Sequence, residues 1–263
     1  MLRPDIIDLR EFYANPLGRA VRRLLRQRLR DFWPDVKGMT VLGLGYATPY
    51  LRIFEGEADR VLAAMPGPQG VVRWPRGLPG RVMLVDEDDL PLPDASVDRL
   101  LLLHALENSE NTRLLLREVW RVLTPQGRLL AVVPNRRGLW AHIEATPFGQ
   151  GHPYTPPQLT RLMRDSMFSP TASQQALWLP PSDGAFVIKA VNAWERAGEI
   201  LWKRFSGVLL VEAEKQVYAG MPVKAVKTRR HFLLKPAAQP ALPNGAHRGI
   251  AGLALSDKKR NAA

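Results

Sequence analysis

This sequence predicts an open α/β fold, wound on both faces of a mostly parallel sheet, and three observations predict it. Short apolar runs recur at 41–44, 60–65, 81–85, 98–103 and 128–133, the pattern of strands buried on both faces. Helical patterns separate strands of this kind, as they must where parallel neighbours are joined by crossovers. The run Val41 to Leu51, VLGLGYATPYL, passes from a strand through a glycine turn to Thr48-Pro49, a helix-start signature. Strand, glycine turn and helix start together make the ligand-binding corner of an open sheet.

The elements follow in order. From Leu17 to Trp33, apolar residues Leu17, Val21, Leu24, Leu25, Leu29 and Phe32 fall at helical spacing, with Arg19, Arg22, Arg23, Arg26 and Arg30 mostly opposite. Residues 1–37 are therefore an amphipathic basic helical segment, expected to pack its apolar face on the core and expose its arginines. The stripe Leu115, Val119, Val122, Leu123 makes a helix of 111–123 that stops before Thr124-Pro125. Thr155 and Pro156 start another, reaching about Phe168, and a longer helical pattern covers 192–205. Residues 207–219 alternate in their second half, as an edge strand does. The main domain spans 38–234. The Pro-, Ala- and Gly-rich residues 235–263, basic at the end, predict a disordered tail.

Composition narrows the chemistry. With 263 residues and 46% hydrophobic content, the chain suits one α/β domain with appendages. It has no cysteine, which excludes disulfides, thiolate metal ligands and a cysteine nucleophile. A cytoplasmic location is expected, because MLRPDIIDLREFY carries charges where a signal peptide carries an apolar run, and no stretch is long enough to span a membrane. The net charge of +12 predicts attraction to nucleic acid, anionic lipid or an acidic partner. The histidines lack paired metal-ligand spacing, so no metal is expected. In the glycine turn, Thr48 stands where G-x-G-x-x-G needs its third glycine, and no phosphate-loop Lys-Ser/Thr follows; a pyrophosphate ligand is disfavoured.

Three segments carry a family resemblance: LPLPDASVDRLLLLHALEN (90–108), LLREVWRVLTPQGRLLAVVPN (115–135) and HPYTPPQLTRLMRDSMF (152–168). Leu90, Pro91, Asp94 and Asp98, followed by Glu118, Arg121, Val122, Leu123, Pro125, Gln126 and Gly127, resemble the second half of a class I S-adenosylmethionine-dependent methyltransferase of the type 11 group. The resemblance, over roughly 38–220, implies a three-layer sandwich with a Rossmann-like, mostly parallel seven-stranded sheet. It implies S-adenosylmethionine as cofactor and a small-molecule or lipid-like methyl acceptor. Gly43, Gly45, Tyr46, Ala47, Met65, Asp86 and Glu87 fall at the cofactor positions, with Asp86 or its neighbours Glu87 and Asp88 toward the adenine amino group. The chain departs from the family pattern where Gly43 replaces the turn's first acid and Ala47 and Pro49 replace two glycines. At the end of the second strand, Ala63-Ala64-Met65 stands where the family places the acid that holds the ribose hydroxyls. A Met65→Asp substitution is expected to restore that acceptor.

Methyl transfer demands positioning more than a fixed triad. His104, at the end of the fourth strand, is the candidate catalytic base; its alternative roles are to cap the strand or to pack beside the cofactor. Glu107 reads as a solvated acid at a helix start. His142, His152 and Tyr154 belong to a segment that forms part of the substrate wall in the family. Arg136, Arg137 and Trp140 either grip an anion and stack a ring or form a basic loop with Trp140 turned inward. Three functions follow: a methyltransferase; a methyltransferase-fold binding or regulatory protein without catalysis, on the strength of the altered turn and missing acid; and a nucleic-acid or membrane-surface binder using the arginines of the first helix.

Overall fold

The computed structural model describes residues 3–75 and 77–217; the predicted tail lies outside the described residues. The chain begins with two helices where one was expected. Helix α1 (Ile6–Ala14) is capped by Asp5, whose carboxylate accepts from the Ile7 and Asp8 amides. Asn15 ends α1 and at the same time caps α2 (Pro16–Phe32), accepting from Gly18 N at 2.7 Å. The corner is tight because any side chain at Gly18 would collide with the Phe12 backbone. Leu17, Val21, Leu24, Leu25 and Leu29 of α2 are buried as predicted, and Phe32 is half-buried.

Strands β1 (Thr40–Gly45), β2 (Arg60–Pro66), β3 (Val82–Val85), β4 (Val97–Leu103), β5 (Leu123–Pro134), β6 (Phe168–Ala176) and β7 (Val208–Lys215) form one sheet in the order β3-β2-β1-β4-β5-β7-β6. The first five are parallel to one another, and β7 runs antiparallel to both its neighbours. Alternate residues serve two cores, as a doubly covered sheet requires. Val41, Ala63, Met65, Leu101, Leu103 and Leu130 meet α1, α2 and α3 (Thr48–Leu51). On the other face, Leu42, Leu44, Leu100, Leu102 and Leu129 meet α4 (Thr112–Val122) and α5 (Pro156–Asp165).

Four expectations need correction. Strand β7 is interior, not an edge, and its residues 208–213 are buried. The edge strands are β3, whose Leu84 is exposed, and β6, which the helix expected to reach Phe168 overran; the polar sequence of β6 and its irregularity between Pro170 and Ala172 suit an unpaired edge. The helix expected at 192–205 is α7 (Val191–Leu201) followed by a short 3-10 turn (Lys203–Phe205), and a further short helix, α6 (Ala185–Lys189), precedes it. Thr48 does not cap α3: Ala47 holds that position without a side-chain bond, and α3 is a single turn.

Gly45 ends β1 with φ +89°, and a Cβ there would collide with the Leu103 carbonyl oxygen and lie 2.9 Å from the Ala105 Cβ. Gly56 has a similar φ of +81° but open space around it. Gly45→Ala is therefore expected to cost about 2–4 kcal/mol and Gly56→Ala about 1 kcal/mol. Urea unfolding of the two variants checks this, and equal losses would show that backbone conformation alone sets the cost at Gly45.

Candidate functional site

Gly45 of β1 and Leu103 of β4 are register partners at the carboxyl edge of the sheet, and Tyr46 N donates to Leu103 O at 2.9 Å. His104 comes next, with a left-handed φ of +53°, a conformation that costs a non-glycine residue free energy and recurs at functional sites. Its backbone carbonyl accepts from Gln69 Nε2 at 2.9 Å and Asn108 Nδ2 at 3.2 Å. The ring is buried.

A chain of polar groups runs through that ring. Tyr50 donates its hydroxyl to Tyr13 at 3.0 Å, and Tyr13 stands 2.8 Å from His104 Nε2. Tyr13 and Nε2 share one hydrogen bond whose direction follows the tautomer of the ring. Nδ1 faces Glu107 Oε1 at 3.4 Å, at ion-pair range but without hydrogen-bond alignment. Glu107 is 1% exposed, so the expectation of a solvated acid is wrong: the loop after β4 folds it inward, and its backbone carbonyl accepts from His152 N. Both Glu107 carboxylate oxygens, Gln69 Oε1 and Asn108 Oδ1 are buried acceptors with no donor among the described residues. Such groups are expensive to leave unpaired.

Aromatic rings fill the space above this edge. Tyr13 stacks on Tyr46 with centroids 5.7 Å apart, Phe148 lies 4.8 Å from the His104 ring, and Phe12 and Trp140 pack edge-on to Phe148. The cavity bounded by Pro66, Gln69, Glu87, His104 and Asn108 holds only about 20 Å³.

The predicted cofactor residues lie around the edge but do not converge on a shared cavity. Gly43 sits within β1, where a Cβ would be 2.5 Å from the Ala47 Cβ, so the room left by the glycine is taken by Ala47 and Leu51. Tyr46 and Ala47 are buried. Met65 is fully buried in the apolar core beneath the helices, so Met65→Asp would bury an unpaired carboxylate and destabilise the fold instead of restoring a ribose acceptor. Asp86 is exposed and accepts from Asp88 N in its own loop. Glu87 is the acid that turns inward, accepting from Ser109 Oγ at 2.7 Å and Glu110 N at 3.2 Å; burial pushes its carboxyl pKa up. His142, His152, Arg136 and Arg137 are exposed, while Trp140 turns inward and donates to Leu179 O. Tyr13, Tyr50 and Gln69 were missed, and no spacing in the sequence joins them to His104.

Burial raises the pKa of three phenols: Tyr13 well above its ordinary value, Tyr50 strongly, and Tyr154 to about 12, with Glu107 adding to the effect at Tyr13 and Tyr154. The unfolded chain ionises these groups near pH 10, while the folded chain holds their protons. As pH rises the unfolded state therefore binds fewer protons, and stability is expected to fall between about pH 10 and 12. Tyrosinate absorbance from at least three of the five tyrosines should appear only as the fold is lost. Full ionisation with circular dichroism unchanged would contradict this burial.

Residues 43–131 match the family described as "Methyltransferase domain". No curated protein matches the chain. Among solved structures, a methyltransferase of Thermotoga maritima described as a possible histamine N-methyltransferase is 15% identical, with TM-score 0.54, covering 79% of this chain and 94% of its own. A methyltransferase of Mesorhizobium loti is 18% identical, with TM-score 0.52, covering 72% and 96%. The [4+2]-cyclase SpnF is 20% identical, with TM-score 0.52, covering 74% and 81%. At these identities the structures share a fold with this chain. Residues 43–131 thus resemble a methyltransferase domain, and the strand order is that of the methyltransferase fold these structures share, with a glycine turn and a second-strand end that depart from the family's pattern.

Proposed function

We propose that the protein is an S-adenosylmethionine-dependent methyltransferase acting on a small-molecule or lipid-like acceptor, and that α1 must yield before the cofactor enters. The observation that carries this reading is the set of four buried acceptor oxygens, on Gln69, Glu107 and Asn108, left without donors at the carboxyl edge. The cofactor's amino groups and ribose hydroxyls are donors of the kind these oxygens lack, so the chemistry of the edge fits it. The volume does not fit while the N-terminal segment is in place: Arg3 and Pro4, just before α1, line this cavity, and about 20 Å³ is far below a small-ligand pocket of roughly 300 Å³ or more.

When bound, the cofactor supplies a methyl group on a sulfonium. This chain's residues would exclude water through the ring cluster and handle the acceptor's proton at His104. With Tyr13 withdrawn, Nε2 is the ring atom that would take a proton from an oxygen or nitrogen nucleophile, with the Glu107 carboxylate 3.4 Å from Nδ1 on the far side of the ring.

Withdrawal of α1 has a magnitude. Leu9, Phe12 and Tyr13 are buried, and exposing each costs about 1.5–3 kcal/mol, so the opening costs about 5 kcal/mol or more. A ligand that must open the site first binds about 10³-fold more weakly or worse. The absent ribose acid weakens it about tenfold or more again.

A second reading, a binding or regulatory protein without catalysis, is favoured by the closed edge and by Met65 and Pro66 where the acid would stand. The similarity to a [4+2]-cyclase supports it to the extent that this fold is not tied to methyl transfer.

Calorimetric titration of the full-length protein with S-adenosylmethionine and S-adenosylhomocysteine separates the two. Weak binding to the wild type is expected, with at least about tenfold tighter binding to Tyr13→Ala, which removes the plug and leaves the glycine turn intact. Circular dichroism checks that the variant is folded, and Phe12→Ala serves as a second variant that loosens the same contact. Absence of binding at millimolar ligand in every folded variant would establish the second reading.

A further inference from the structure

A second cleft, of about 440 Å³, lies on the helical side of the glycine turn; it shares Tyr13 and Tyr46 with the His104 cluster but not His104 itself. Its wall holds five guanidinium groups, from Arg10, Arg22, Arg26, Arg52 and Arg73, and one carboxylate, Glu55. Glu55 neutralises little of this charge, being shared between Arg52 and Arg81 at 3.9 Å each. Arg10, Arg22 and Arg73 have no ion-pair partner among the described residues.

The contrast within α2 is informative. Arg28 pairs with Asp31 and Glu199, and Arg30 pairs with Glu57 at 2.8 Å and lies over the Phe54 ring. The arginines at the end of this helix are therefore neutralised, while Arg19, Arg22, Arg23 and Arg26 have no ion-pair partner among the described residues; of these, Arg22 and Arg26 face the cleft. Arg26 is held in position, donating through Nε and Nη2 to the Pro49 carbonyl oxygen. Burial first, and the neighbouring Arg22 next, lower its pKa from the ordinary arginine value. A guanidinium fixed beside like charges is already ordered for a bidentate contact, so an anion binding there loses less entropy.

We propose that this cleft binds a compact ligand bearing two or more phosphate groups. Convergence favours a compact anion over an extended one. The five arginines come from α1, α2, the turn after α3 and the 71–75 segment, and meet in one concavity of small-molecule size. Arg19 and Arg23 extend the basic face of α2 toward its start, while Arg28 and Arg30 at its end are paired, so an extended polyanion is the competing occupant that the test must separate. Trp74, half-buried in the same wall, adds apolar and ring surface for whatever carries the phosphates.

The test uses the full-length protein with inorganic tripolyphosphate and pyrophosphate as probes, followed by calorimetry and thermal unfolding at low and physiological salt. Tripolyphosphate is expected to bind and raise the unfolding temperature, and an Arg22→Gln/Arg73→Gln variant to lose at least about tenfold in affinity. Neither arginine is hydrogen-bonded or ion-paired among the described residues, so the variant should fold. The control, Arg161→Gln/Arg164→Gln, removes two exposed arginines of α5 outside the cleft and should bind like wild type. Equal weakening in both variants, or no binding to the wild type, would overturn the proposal. So would binding that depends on Arg22 and Arg73 for single-stranded RNA or phosphatidylserine vesicles but is absent for tripolyphosphate. None of these readouts involves S-adenosylmethionine, so this inference and the methyltransferase reading stand or fall separately.

Discussion

The contact between Tyr13 and His104, 2.8 Å across the top of the sheet, is the constraint on which the rest of the site depends. It ties the N-terminal helical layer to the end of the central strand and engages Nε2 of the buried imidazole. It also places the ring that Tyr46 stacks on and Tyr50 donates to. Asn15, by ending one helix and starting the next, folds α1 back over the sheet, and Gly18 lets the two backbones approach closely enough. Together they bring a phenol from residue 13 against a ring from residue 104.

The glycine turn takes on a different meaning in that setting. In VLGLGYATPYL, the glycines read as room left for another molecule. In the fold, the room at Gly43 is used by Ala47 and Leu51, and Gly45 is required by its own φ and by the Leu103 carbonyl behind it. The same two residues satisfy a sequence rule for ligand binding and a packing rule for a tight strand-to-helix corner. Only the positions of the neighbouring side chains distinguish them.

The layering was legible in the sequence because it rests on repeated burial. Runs such as RVLAAM and DRLLLL can only be strands covered on both faces, and the apolar stripe of α2 has one possible use. Strand β6 was not legible, since FSPTASQQA gains its place from pairing with β7 and not from its own preference. His104 could be singled out because it follows an apolar strand. Glu107 could not be read correctly, because whether an acid is solvated is decided by what folds over it. Here that is Tyr154, the 151–152 backbone and the His104 ring. Tyr13 lies 91 residues from its partner, and no periodicity spans that separation.

Helix α1 acts on the carboxyl edge as a tethered ligand. Its effective concentration is high because the loop joining it to α2 is one residue, and it presents Phe12 and Tyr13 where an external molecule would have to enter. The unpaired oxygens of Gln69, Glu107 and Asn108 show that this tethered ligand is an imperfect one: it supplies apolar surface and one hydroxyl but no donor for those acceptors. An apolar cover over unsatisfied acceptors is stable only while its burial outweighs their desolvation. A molecule bringing several donors gains at these atoms what α1 cannot, and must offset the burial of three side chains to do so. Which of the two prevails depends on that difference, and on whether the arginine cleft on the other side of Tyr13 favours one position of the helix.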